Sequence, residues 1–300
     1  MVVRIGTAER GGTFHTQGLA LKTVLARSPL LAPVEICESA LAASVENAER
    51  LHAGGLEFGF MAANWVGRAK RGEAPFAAPI DLRVVAPMNA GPLFFIARAD
   101  SRLRSVADLR GQRVVVGPER SGMAQHAQAI LGALGITFSD IAPVNLDFAA
   151  GADALVAGRA DAQLQCPIPN QVMTNLSQRI AVKVLPYDPG ALDNVLAVGP
   201  HYRRTIMRKD AFRGLDADTA QIAVLNLLVT HARVDETLVH AAALAIASNT
   251  DELAALNPLF VGIAELLVSL RAEGPATLSF GLVALHPGAA RAYRDAGLLT

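Results

Sequence analysis

An apolar strand, "VVRI", runs straight into a glycine loop and then into a helical pattern, "GTAERGGTFHTQGLALKTVLARS" (6–28). The arrangement recurs. "VEICES" is a second strand, "SVENAERLHAGG" (44–55) a helix closing on Gly54–Gly55, and "LEFGFMAAN" a third strand. A helix around "WVGRAKRG" and a fourth strand, "LRVVAPM", follow. Strands alternating with helical patterns predict βαβ units and parallel pairing.

The plan restarts at "SVADLRGQRVVVGPERSGMAQHAQAILGALGI" (105–136). "VRIGTAERGGTFH" and "VVVGPERSGMAQH" share a strand, a glycine, Glu-Arg, a small residue, a second glycine and a helix. Two lobes are therefore expected, each presenting a helix N-terminus at the C-terminal end of its first strand. That edge is where open α/β sheets bind ligands. "ADALVAGRADAQLQ" (152–165) continues as helix, turn and strand, "PIPNQVMTNLSQ" as a helix entered through Pro169, and "VKVLPYD" as a strand. "PLFFIARAD" (92–100) and the strongly apolar "AVLNLLVTHA" (223–232) serve as crossover strands, with amphipathic helices after the second. The expected fold is α/β and two-lobed, each lobe a mixed sheet flanked by helices, joined by two hinge strands. Lobe 1 takes residues 1–93 and 229–300, lobe 2 residues 94–228. A chain of 300 residues, 52% hydrophobic, has the material for two cores.

Gly6, Gly11, Gly12 and Thr13 follow G-x-x-x-x-G-K-[ST], but Gly12 stands where a nucleotide-triphosphate loop has lysine. The spacing does not fit G-x-G-x-x-G either. What remains is a set of backbone N–H groups at a helix start, suited to a carboxylate or another small anion, or else a tight turn without a ligand. Lys+Arg and Asp+Glu are equal at 27 each, which argues against nucleic acid or an anionic membrane as the main partner. "HYRRTIMRK" (201–209) is the one basic cluster, read as a solvated stretch around a turn.

The 7 histidines never pair at metal-ligand spacing, and the 2 cysteines, Cys37 and Cys166, give no zinc or redox spacing, so no metal and no cofactor is expected. No G-x-S-x-G elbow occurs, and nothing marks a base for Ser121. Cys166 reads as a small buried hydrophobe. His15 and His126, each just inside a helix after a glycine loop, read as surface or satisfied side chains. No apolar run reaches membrane-span length, and the start reads as strand and loop rather than a signal peptide. The expectation is either a cytoplasmic protein or one whose targeting segment has been removed.

The clearest family likeness is the C-terminal "ALHPGAARAYRDAGLL" (284–299), a His-Pro-Gly-Ala turn and a tyrosine-bearing helix. With "IGTAERGGTFHTQGLAL", "ASVENAERLHAGGLEFGFM", "SVADLRGQRVVVGPERSGM" and "LVAGRADAQLQCPIPN", it resembles the TAXI family of solute receptors, subunits of TRAP transporters, in order over nearly the whole chain. The resemblance implies a type II periplasmic-binding-protein fold closing on a ligand in the interlobe cleft. It also implies a periplasmic location, delivery to TRAP membrane subunits, no catalysis, and ligands such as small organic acids and amino acids.

Positions carried over are Thr13 and Phe14 in the first loop, with His15 beside them as a further candidate, Ser44 and Asn47 near the second, and Asn64 after the third strand. Ser121 and Gly122 are carried over opposite, with Met123 next to them, and Gln163 and Gln165 end the strand "DAQLQ", where alternate side chains can reach the cleft. Met123 stands where the family's Gly-Ser-Gly-Thr loop has a hydroxyl, and Phe14–His15 where a tyrosine pair is common. Ser44 is equally read as a helix cap, and Asn47 as structural. Arg10 and Arg120, each after a glutamate, are read as solvated rather than as a carboxylate clamp. A cytoplasmic ligand sensor and an enzyme on the same architecture remain the alternatives, because a fold does not fix a function.

Overall fold

The computed structural model describes residues 2–39, 43–119, 121–165, 168–199, 201–274 and 283–300; Arg120 and Cys166 lie outside them. The elements begin β1 (Val3–Gly6), α1 (Thr13–Leu25), β2 (Val34–Cys37), α2 (Ala43–Ala53), β3 (Phe58–Ala62), α3 (Ala63–Arg71) and β4 (Leu82–Arg98). Next come β5 (Arg113–Val115), α4 (Gly122–Ala133), β6 (Ala142–Val144), α5 (Phe148–Val156), β7 (Ala162–Gln165), α6 (Gln171–Arg179) and β8 (Val182–Val184). The chain closes with α7 (Ala191–Leu196), β9 (Tyr202–Met207), β10 (Thr219–His231), α8 (Glu236–Ser248), α9 (Thr250–Leu256), α10 (Ile263–Glu273) and α11 (Pro287–Asp295). It forms two compact units: residues 1–90 with 225–300, and residues 91–224. The chain passes between them inside β4 and again inside β10.

In unit 1, β1 lies parallel to β2 on one side (Val3 opposite Val34) and to β3 on the other (Ile5 opposite Phe58). The later part of β10 runs antiparallel to β3, with Asn226 opposite Ala62. Val3, Ile5, Phe58, Phe60 and Met61 are fully buried, as are Leu21 and Leu25 of α1. Each such side chain contributes about 1.5–3 kcal/mol of burial.

The C-terminal motif is part of this core. Leu285 bridges Val84 on β4, and His286 caps α11, its Nδ1 accepting from Gly288 N at 3.1 Å. Tyr293, wholly buried, donates to Val85 O at 2.7 Å. Gly288 is required by packing, since a Cβ there would lie 2.3 Å from Glu236 O on α8.

In unit 2, β4 is flanked antiparallel by β7 (Phe94 opposite Gln165) and β8 (Ile96 opposite Val184). β5 pairs in parallel with β7 and β6. Three expectations change here. "LRVVAPM" and "PLFFIARAD" are one continuous 17-residue strand rather than two. "HYRRTIMRK" is no turn: it forms β9, antiparallel to β10, because Tyr202 and Met207 face inward at its two ends. Its arginines are tied down, Arg204 to Asp193 at 2.5 Å and Arg208 to Asp218 at 2.9 Å. Finally, α6 starts at Gln171 and not through Pro169; Asn170 caps it, its Oδ1 accepting from Met173 N at 2.8 Å.

Candidate functional site

In unit 1 the loop after β1 is held by backbone. Thr7 N donates to Cys37 O at 2.9 Å, and Gly12 N to Glu9 O at 2.9 Å. Gly11 takes a left-handed φ of 82°, a conformation glycine adopts without penalty. Gly12 is the N-cap of α1 and offers no side-chain cap, so the first-turn N–H groups have no side-chain acceptor there. Thr13 and Phe14 open the helix, and the Phe14 ring stacks on Phe60 with centroids 5.5 Å apart. His15 is satisfied rather than free: its Nδ1 accepts from Gly11 N at 3.2 Å, and Nε2 lies 3.7 Å from Glu38. Arg10 pairs with Glu38 at 2.7 Å while its side chain stays 82% exposed, which is the solvated role.

Ser44 does not cap. It lies inside α2, and its hydroxyl accepts from Ala62 N at 3.1 Å, joining the helix to the end of β3. Asn47 is a strut. Fully buried, it donates from Nδ2 to Thr7 O at 2.9 Å and to Phe60 O at 3.0 Å, locking β1 to β3. This accounts for Gly6, where a Cβ would meet Asn47 Oδ1 at 2.4 Å. Asn64, second in α3, has a buried Oδ1 with no partner.

The sequence reading missed three amides beside these residues. Gln17, one turn into α1, donates to Asn89 Oδ1 at 3.3 Å, and Asn226 donates to the same oxygen at 3.2 Å. Gln17 Oε1 is buried without a partner. The available signal was polarity in an apolar setting: Asn226 interrupts "AVLNLLVTH", and Asn89 ends "VVAPMN".

In unit 2, β5 leads through Gly117 to α4. Gly117 has φ 101°, and a Cβ there would meet Met123 Cβ at 2.7 Å and Ser121 Oγ at 2.9 Å, so only glycine fits. Ser121 is a true N-cap, its Oγ accepting from Ala124 N at 3.1 Å. Gly122 and Met123 form the first helical positions, and Met123 packs against the core of this unit. Gln163 is fully buried and donates to Phe148 O at 2.9 Å. Gln165 is equally buried, and neither its Nε2 nor its Oε1 has a partner. β7 runs parallel to β5, with Val115 opposite Gln163, so Gln165 ends its strand at the sheet edge where the chain leaves β5.

A second polar group, which the sequence did not reveal, lies along α4. His126 Nδ1 is 2.8 Å from Tyr202 Oη, and the His201 ring packs on Tyr202 with centroids 4.3 Å apart. Burial first, and the neighbouring His201 second, pull His126 down to about 3; burial takes His201 to about 4. Both imidazoles are therefore neutral at pH 7. Burial pushes the Tyr187 and Tyr202 phenols upward, and Tyr187 Oη has no partner. This is hydrogen-bonding chemistry, not acid–base chemistry near neutrality. Among the described residues, no three His, Cys, Asp or Glu side chains gather to hold a metal ion, and no helix is long and apolar enough to cross a membrane.

Among solved structures, the chain is similar to the periplasmic sulfonate-binding protein SsuA of Methylobacillus flagellatus KT: 15% identity, 99% of this chain and 95% of that one, TM-score 0.57. It is similar to MatC of Rhodopseudomonas palustris, solved with bound malate, at 15% identity over 87% of this chain and 88% of that one, TM-score 0.57. PhnD1 of Prochlorococcus marinus (MIT 9301), in complex with methylphosphonate, matches at 12% identity over 87% and 90%, TM-score 0.56. At these identities the likeness is one of fold, and the fold is that of type II periplasmic-binding-protein-like solute binders. The model of the NMT1-like family matches residues 5–297, and the chain belongs to that family.

Proposed function

We propose that the protein is a solute-binding receptor of the TAXI branch that captures a small organic acid or amino acid in the periplasm. It hands that solute to the membrane subunits of a TRAP-type transporter and performs no chemistry on it. The observation that carries this reading is that each unit ends its first parallel strand in a glycine loop and starts a helix there. Backbone N–H groups and the positive end of the helix dipole favour a small anion at such a point. In unit 1 the uncapped start of α1, with Thr13 and Phe14, receives the anionic group, and Asn64 Oδ1 is an acceptor for an ammonium or hydroxyl donor. In unit 2 Ser121 and Gly122 occupy the matching position. The fold shared with solute binders and the order of the sequence motifs support the same reading.

The test is mass spectrometry of small molecules released from the purified protein, followed by melting curves with the compounds found. A ligand at a hundredfold excess over Kd stabilises the fold by about 2.7 kcal/mol. Small carboxylates or amino acids are expected to raise the melting temperature, and ATP and NAD to leave it unchanged. A strong shift with a nucleotide, and none across a broad acid and amino-acid panel, would overturn the proposal.

A further inference from the structure

We infer that unit 2 reads a carboxamide-type group on the ligand, an N–H donor beside a carbonyl acceptor, through the side chain of Gln165. The inference rests on the receptor reading and specifies the ligand class at that site. Gln163 and Gln165 are both wholly buried on β7, two residues apart and so on the same face of the sheet. At Gln163 the fold supplies an acceptor, Phe148 O. At Gln165 it supplies nothing, and both the donor Nε2 and the acceptor Oε1 are left over. Burying an amide with neither function met is unfavourable, and such groups in folded proteins ordinarily have partners.

The position matters as much as the deficit. Gln165 is the last residue of β7, which runs parallel to β5, so it lies at the sheet edge where the chain leaves β5 for the start of α4. In that loop Gly117 O accepts from Asn145 Nδ2 at 3.0 Å. The N-cap hydroxyl of Ser121 is likewise engaged with Ala124 N. Gln165 is thus an unmet donor–acceptor pair at the edge where the ligand is expected.

A primary amide is complementary to another amide edge, since two antiparallel hydrogen bonds satisfy all four atoms. A carboxylate meets Nε2 but sets its second oxygen against Oε1.

The test is calorimetry with the diacids from malonate to adipate, their monoamides, and glutamate with glutamine. In the wild type, the best-bound monoamide or glutamine is expected to exceed its diacid counterpart at least tenfold. Gln165→Leu, similar in volume, should reduce that ratio below threefold and leave the ligand-free melting temperature unchanged or higher, because two unmet polar atoms are gone. Gln165→Glu keeps the shape and loses the donor. It should weaken diacids more than monoamides at pH 7, and it carries the test if the leucine variant does not fold. Equal or tighter diacid binding by the wild type, an amide preference that survives Gln165→Leu, or a Gln165→Glu variant that keeps the wild-type ratio of monoamide to diacid binding, overturns the inference and leaves the receptor reading standing. Failure of every probe to bind overturns both.

Discussion

In unit 1 the helix after the glycine loop starts on Gly12, which has no side chain to cap it. In unit 2 the corresponding helix starts on Ser121, whose hydroxyl takes Ala124 N at 3.1 Å. The supporting polar groups differ in the same way. Behind the first loop stand amides, Asn47, Gln17, Asn89 and Asn226, which do not titrate. Along the second helix stands a histidine against a tyrosine, with another histidine beside them. Two turns of one sequence pattern therefore rest on supports with different sensitivities, and each can be stressed separately.

Acid should produce the largest difference. His126 has its folded value at about 3 against an ordinary 6.5, so between those values the unfolded chain binds the proton first. Its contribution to stability is complete above about pH 6.5 and is lost as pH falls toward about 3. At 1.36 kcal/mol per unit of pKa, the full loss is on the order of 5 kcal/mol. Denaturant melts at pH 7, 5.5 and 4 should show it, and His126→Gln should flatten the slope. A residual slope is expected from His201 in the same unit, which burial takes to about 4, and from unit 1, where burial lowers His286. An unchanged slope in His126→Gln would remove the contrast between the two supports.

Asn47 tests the amide side. Asn47→Ala removes two buried hydrogen bonds, leaving Thr7 O to Ser39 Oγ alone at 2.5 Å and taking the side-chain donor from Phe60 O, and should cost about 2–4 kcal/mol by urea melt at any pH from 5 to 8. A loss below about 1 kcal/mol would mean the strut is not what holds the first loop. The contrast is sharpened if this loss is independent of pH while that of His126 is not.

What was legible in the sequence was local. β1, β3 and β5 are short, largely apolar runs next to glycine or polar breaks, and the helices after them show their apolar faces within a few residues. β9 was hidden because its arginines outweighed the inward Tyr202 and Met207 in composition. The two halves of β4 looked separate because Gly91–Pro92 resembles a break, yet the strand runs through it. The site was legible only where it follows a motif. Ser121 and Gly122 stand in a recognisable loop, whereas Gln17, Asn89 and Asn226 meet across sequence separations of 72 and 137 residues, beyond the reach of local pattern. Ser44 followed the pattern of a cap and instead serves Ala62 N, a partner 18 residues on.

Gly122→Val probes the ligand side of the second loop. A branched side chain at the first helical position of α4 blocks close approach to its N–H groups, and the expected loss of affinity is well over tenfold, about 1.4 kcal/mol or more. Calorimetry with the ligand released from the wild type reads it, and wild-type affinity would remove α4 from the site. Ser121→Ala should do the opposite. Its hydroxyl serves the helix, so the change should cost about 1 kcal/mol of stability and less than threefold in affinity. A large affinity loss with unchanged stability would show the hydroxyl turning from the helix to the ligand.

The smallest effect is expected at Arg10. Its guanidinium meets Glu38 at 2.7 Å with the side chain 82% exposed, where solvent and salt screen the pair. Exposed pairs of this kind contribute about 0–1 kcal/mol. Removing Arg10 does not strand the carboxylate, because Glu38 is itself partly exposed and His15 Nε2 lies 3.7 Å away. Arg10→Ala should therefore shift stability by less than about 0.5 kcal/mol and affinity by less than about twofold. An arginine gripping a carboxylate in a fork behaves differently, since charge-assisted bonds are about twice as strong as neutral ones and two are lost together. A loss of tenfold or more in calorimetry would mean that Arg10 leaves Glu38 when ligand arrives. Unit 1 would then recognise its ligand by a side-chain charge and unit 2 by backbone and amide, so the uncapped start of α1 would no longer be the feature that distinguishes the two loops.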